Sequence, residues 1–169
     1  FFMRYFLIGY KSSGKSTLGR KLSALTGLKF IDLDEVIEQH EGRKIPELYT
    51  DLGDEKFRVK EWEALKEVVK EDNIVVALGG GAPCYCDNMN LLEKKGEIIY
   101  LKLNDNVLVQ RLKKATADRP IVLNKSEDEL FTYVKDLRSR CEHFYMRAKY
   151  VIDGEHITAT ELADILNMQ

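Results

Sequence analysis

The chain has 169 residues, 44% of them hydrophobic and 32% charged, with the charges spread along its whole length. That is one domain's worth of chain with apolar residues enough for a core, which excludes a disordered protein. A net charge of −2 excludes a global basic field for holding nucleic acid, and apolar runs such as residues 74–78 and 98–101 fall far short of the roughly 20 a membrane span needs.

In chain order, residues 3–8 form an apolar strand, too short and too soon interrupted by Gly9 for a signal peptide. A helix over 15–25 follows, with Leu18, Leu22 and Leu25 on one face and Gly27 as its stop. Residues 28–32 give a second strand. Short helices over 34–41 and 45–52 flank Gly42, and a longer helix runs over 55–70 with Phe57, Trp62, Leu65 and Val69 as its apolar positions. Residues 73–78 are continuously apolar, the pattern of a strand buried on both faces. A helix over 87–95 ends at Gly96, a strand covers 97–103, and a helix covers 106–115. After a polar stretch over 116–126 come a long helix over 127–147, a last strand over 150–153 and a last helix over 158–167. Repeated strand–helix units predict an α/β domain over 1–169 with a parallel sheet, whose ligands bind at the carboxyl ends of the strands.

The first strand end carries Gly9-Tyr10-Lys11-Ser12-Ser13-Gly14-Lys15-Ser16, a G-x-x-x-x-G-K-S phosphate loop between strand and helix. Backbone N–H groups of such a loop and the helix N-terminus hold phosphates, Lys15 reaches the β- and γ-phosphates, and the Ser16 hydroxyl ligates Mg²⁺. A nucleoside triphosphate is therefore expected on Ser12, Ser13, Gly14, Lys15, Ser16 and Thr17. The chemistry of the other strand ends has to name the acceptor. Asp32 and Asp34 follow the second strand; two apart in extended chain, they lean to one side. One can support Mg²⁺ and the other accept a bond from an attacking hydroxyl, though Asp34 also reads as a helix cap. Arg58 and Glu61, three apart on a helix, read either as a surface ion pair or as an arginine braced to clamp a carboxylate. Gly79, Gly80 and Gly81 offer bare backbone beside a ligand. Arg119, before Pro120, sits where a mobile segment over 116–126 could close on ATP.

Together these motifs resemble the shikimate kinase family across nearly the whole chain. The resemblance implies a nucleoside-monophosphate-kinase-like, three-layer P-loop fold, its five parallel strands in the order 2-3-1-4-5. It implies transfer of the γ-phosphoryl of ATP to the 3-hydroxyl of shikimate, a lid over the nucleotide, and a shikimate-binding insertion over 34–62. By position, Asp34 would bind ring hydroxyls and act as base, and Asp32 would support Mg²⁺ with Ser16. Arg58 would grip the carboxylate, Gly79, Gly80 and Gly81 would lie against the ring, and Arg119 would be the lid arginine. A cytoplasmic monomer is expected.

One segment departs from the family pattern. The second carboxylate-binding arginine belongs to Arg-x-Pro-x-Tyr, whereas residues 138–145 here read Arg-Ser-Arg-Cys-Glu-His-Phe-Tyr. With Tyr145 as the tyrosine, Cys141 takes the arginine's place; with Phe144 replacing it, Arg140 falls in register. Arg140 is the expectation carried forward. Cys84, Cys86 and Cys141 are an odd set without zinc-ligand spacing, read as free thiols of a reducing compartment. A rival reading takes Asn124-Lys125-Ser126-Glu127 as the guanine-reading motif of a GTPase switch. It ends in Glu instead of Asp, and no Asp-x-x-Gly follows a strand to sense a γ-phosphate.

Overall fold

A computed structural model of the chain describes residues 3–114 and 125–168. Five strands, β1 (Arg4–Ile8), β2 (Lys29–Asp32), β3 (Ile74–Ala77), β4 (Glu97–Lys102) and β5 (Tyr150–Asp153), form one sheet in the order β2-β3-β1-β4-β5. Every neighbouring pair is parallel. Helices α1 (Lys15–Thr26), α2 (Leu33–Glu41), α3 (Ile45–Val68), α4 (Asn88–Lys95), α5 (Asp105–Lys114), α6 (Glu127–Tyr145) and α7 (Ala159–Ile165) connect and cover them. The expected strand order is the observed one.

Alternation along the strands builds two cores. Phe6, Ile8, Val76, Ile98 and Tyr100 face α2 to α6, and pack with Ile37, Leu48, Phe57, Leu65, Leu108 and Val134. Tyr5, Leu7, Val75, Ile99 and Leu101 face the other way, against Leu18 and Leu22 of α1 and Leu162 of α7. Strands β1 and β3 are therefore apolar at nearly every position because both of their faces are covered. Gly27, at φ +80, ends α1 by donating its N–H to the Ser23 carbonyl. α3 is interrupted at Gly53 (φ 78, ψ 173), so the two helices expected on either side of that residue are present, joined across a kink.

One local expectation is corrected. Asp34 does not cap a helix and does not lie in extended chain: α2 starts at Leu33, and Asp32 is its cap, its Oδ1 accepting the Asp34 N–H at 3.0 Å. A carboxylate there satisfies an amide that the helix leaves unpaired, and it starts α2 directly at the strand's end. The aligned register, with Leu7 and Asp32 both opposite Ala77 and Ile8 opposite Tyr100, brings the ends of the central strands to one edge.

Candidate active site

The phosphate loop turns at that edge between β1 and α1. Ser13 N–H closes a turn on the Tyr10 carbonyl at 3.1 Å. Gly14, at φ +93, takes a left-handed backbone that a side chain would strain. A Cβ on Gly9 would stand 2.9 Å from the Leu101 carbonyl, so β4 passes too close for any other residue. Lys15 is buried, its Nζ donating to the carbonyls of Gly9 at 2.6 Å and Tyr10 at 3.0 Å and to Ser13 Oγ at 3.4 Å. Ser16 Oγ donates to Asp32 Oδ2 at 2.8 Å, so the two residues expected at Mg²⁺ are already in contact. Thr17 is exposed at the start of α1.

Asp34 stands beside this loop, across from the glycine run after β3. A Cβ on Gly79 would lie 3.1 Å from Asp34 Oδ1. Burial, and then the neighbouring Asp32, push the Asp34 carboxyl above its ordinary value; Lys15 and Lys11 draw it back.

Arg58 is no surface ion pair. It is half-buried, and its partner Glu61 is 1% exposed. Nη1 donates to Glu61 Oε1 at 3.0 Å, Nε to Asp54 Oδ1 at 3.4 Å, and the guanidinium lies 4.2 Å from the centre of the Tyr85 ring. A Cβ on Gly81 would come within 2.5 Å of Arg58 Nη2. Burial pushes Glu61 up to about 7 against the pull of Arg58, with Asp34 adding to the rise. Gly79 and Gly81 thus present bare backbone to Asp34 and Arg58, while Gly80 faces the phosphate loop, 3.2 Å from the Lys11 nitrogen where a Cβ would be.

Arg140 stands next to Cys141, and its charge, like that of Arg58, acts on that thiol. Arg140 is exposed, and its Nε donates to the Asp136 carbonyl of its own helix at 3.4 Å. One residue further along a helix is a turn of about 100°, and that turn points Cys141 inward. Cys141 is buried on the face of α6 it shares with Tyr145, whose hydroxyl donates to the Gly80 carbonyl. Cys141 and Cys84 share a hydrogen bond, which holds the Cys141 thiol low and the Cys84 thiol high. Arg138 faces away, toward Asp105, Glu142 and the Leu103 carbonyl. The lid expectation, with Arg119, falls outside the described residues apart from Lys125 and Ser126, the latter capping α6. Asn124 of the guanine-type motif is outside them too.

Three contacts had no signature in the sequence. Arg111 of α5 donates to the Ser12 carbonyl at 3.2 Å, over the outside of the phosphate loop. Tyr85 stacks on Arg58, and Tyr10 bonds Glu142. Each joins residues far apart in the chain, and only Arg111's place in the last turn of a helix aimed at the loop could have suggested it.

The shikimate kinase family model matches residues 11–168. A shikimate kinase of Bacteroides thetaiotaomicron is 36% identical over 155 residues, 92% of this chain and 89% of that one. The chain belongs to the shikimate kinase family. A 1.7 Å crystal structure of shikimate kinase from Bacteroides thetaiotaomicron superposes with a TM-score of 0.94 at 33% identity, covering 99% of this chain and all of that one. Shikimate kinase from Acinetobacter baumannii, solved in complex with shikimate, gives a TM-score of 0.86 at 29% identity, over 98% and 91% of the two chains. This shikimate kinase family member is accordingly an ATP-dependent kinase, and the GTPase-switch reading is set aside. Among the described residues no helix is long and apolar enough to cross a membrane.

Proposed function

We propose that the chain transfers the γ-phosphoryl of ATP to the 3-hydroxyl of shikimate, using the residues brought together here. The carrying observation is the pairing of Asp34 with Gly79 and of Arg58 with Gly81 along one bare backbone segment. An acceptor lying there meets a carboxylate suited to a hydroxyl at one end and a guanidinium suited to a carboxylate at the other. The Acinetobacter relative's complex supports the same ligand.

Phosphoryl transfer leaves the protein little covalent work, so positioning and charge stabilisation carry the rate. Lys15 exchanges its carbonyl partners for phosphate oxygens, and the backbone of Ser12, Ser13 and Gly14, with α1 behind it, holds the phosphate chain. Thr17 extends this end toward the nucleotide. Arg111 fixes the outer side of the loop, and Arg119 is the lid residue of this reading. Asp34 orients the acceptor hydroxyl and takes its proton. Arg58, braced by Glu61, Asp54 and Tyr85, holds the carboxylate, with Arg140 as the second arginine of this reading.

Ser16 and Asp32 are hard oxygen donors 2.8 Å apart, which fits Mg²⁺ completed by water and nucleotide oxygens. Among the described residues no cluster of three His, Cys, Asp or Glu could hold a metal alone. A bound Mg²⁺ supplies charge neutralisation on the phosphates. Cys84, Cys86 and Cys141 are free thiols, which suits a reducing compartment such as the cytoplasm.

The regiochemistry is tested by ³¹P and ¹H NMR of the product of ATP, Mg²⁺ and shikimate. A phosphate ester on the 3-hydroxyl is expected, and an ester elsewhere on the ring contradicts the assignment of Asp34. The acid limb of activity gives a second check. Asp34 must be ionised to take a proton, and its raised value means that the protonated fraction grows at a higher pH than for an ordinary carboxylate. kcat/KM should therefore fall on acidification before the usual carboxylate range is reached. Asp34→Asn should lose about 10²- to 10⁴-fold and lose that limb.

A further inference from the structure

We propose that Glu142 is a positioning residue: through Tyr10 it ties the acceptor-facing end of α6 to the phosphate loop, so that filling one half of the site orders the other. The inference rests on the two half-sites assigned above. Glu142 Oε2 accepts from Tyr10 Oη at 2.8 Å, from Tyr100 Oη at 2.8 Å and from Arg138 Nη1 at 3.3 Å. Tyr10 is the second residue of the phosphate loop, and its own carbonyl is one of the groups holding Lys15 Nζ. The bond therefore runs from α6 to a loop residue one contact away from the lysine that meets the phosphates.

The other end of the same stretch of α6 faces the acceptor. Cys141 adjoins Glu142 and lies near enough to Arg58 to feel its charge, and Tyr145 donates to the Gly80 carbonyl. The Tyr10 ring packs edge-on against Tyr145 with centres 4.6 Å apart, and the Arg138 guanidinium lies 5.1 Å from the centre of the Tyr10 ring. Arg138 is in turn held by Asp105 at the start of α5, the helix whose Arg111 grips the Ser12 carbonyl. The two helices on either side of residues 115–126 thus both hold the phosphate loop, α5 from outside and α6 through Glu142. A strut of this kind lets an acceptor that shifts or stiffens α6 change the affinity for nucleotide, and linkage requires the reverse effect to be equal. A carboxylate that only fastened α6 to the sheet would do the same work through Tyr100 as through Tyr10.

The test compares Tyr10→Phe with Tyr100→Phe. Each removes one hydroxyl donor from the same carboxylate oxygen and keeps the buried ring, but only Tyr10 belongs to the loop. MgADP is titrated calorimetrically into each protein with and without saturating shikimate, and shikimate with and without MgADP. In the parent protein each ligand should tighten the other by about 5-fold or more. Tyr10→Phe should bring that factor to within about 2-fold of unity, and Tyr100→Phe should keep it. Equal loss in both variants, or full coupling in Tyr10→Phe, overturns the strut, as does shikimate that binds the parent protein without coupling. A parent protein that binds no shikimate at all overturns the acceptor-site reading itself, a result distinguishable from the others in the first titration.

Discussion

Lys15→Met should lower kcat by about 10³-fold or more with the melting temperature nearly unchanged. The methionine keeps the apolar stem within a buried loop and removes only the ammonium. That charge now lies 2.6 and 3.0 Å from two loop carbonyls at the end of β1, where the phosphates would arrive. Charge spread over a transferring phosphoryl group in a site screened from water is stabilised far more by a fixed cation than it would be in solution. Lys11, the other lysine of the loop, is exposed, so water screens its charge more than that of buried Lys15. The substitution has a second signature. Lys15 draws the Asp34 carboxyl down, so without it Asp34 rises further. The acid limb of the residual activity should then move to higher pH. Single-turnover rates measured across pH check both effects; a loss under 10-fold, or an unmoved limb, would count against the roles given to Lys15 and Asp34.

The second large effect is on acceptor binding. Arg58→Ala should raise the KM for shikimate by about 10²-fold, with the nucleotide KM changed by no more than about 3-fold. Truncating one partner of a hydrogen-bonded charge pair costs several kcal/mol, about 2 to 5, of which each 1.4 is a factor of ten. Arg58→Lys should recover only part of the loss, because an ammonium keeps the charge without the planar fork and without the stack on Tyr85. The stability of Arg58→Ala also acquires a pH dependence with a definite sign. Glu61 sits at about 7 with Arg58 pulling it down, so removal of the arginine lifts it further. A carboxyl whose folded value lies above its unfolded one stabilises below the unfolded value and loses that contribution as pH rises through the folded one. Relative to the parent, Arg58→Ala should therefore melt progressively lower as pH rises through and above about 7.

What the sequence made legible follows from range. The phosphate loop, the glycine run and the Gly27 stop are short patterns whose geometry depends on immediate neighbours, and each lies where the pattern places it. The strand order was legible through family resemblance, since βα repetition alone leaves several parallel orders open. The second carboxylate ligand was not. Arg140 and Cys141 differ by one residue, and which one points inward depends on how α6 is turned against β4 and the Gly80 loop, a matter of packing between distant segments. The same holds for Arg111 on Ser12, 99 residues apart, and Tyr10 on Glu142, 132 apart. The start of α2 was misplaced because an aspartate at a strand end suits both an extended chain and a cap, and the pairing of Asp32 with its own second neighbour decides between them.

Steady-state ADP release from ATP and Mg²⁺, with shikimate, gluconate or AMP as the acceptor, tests the central claim most directly. Turnover that depends on shikimate and is not supported by the other two is the predicted result, and it would show that the departure from the family pattern over residues 138–145 is tolerated. Release stimulated by gluconate or AMP but not by shikimate would contradict the acceptor assignment built on Asp34, Arg58 and the Gly79–Gly81 backbone.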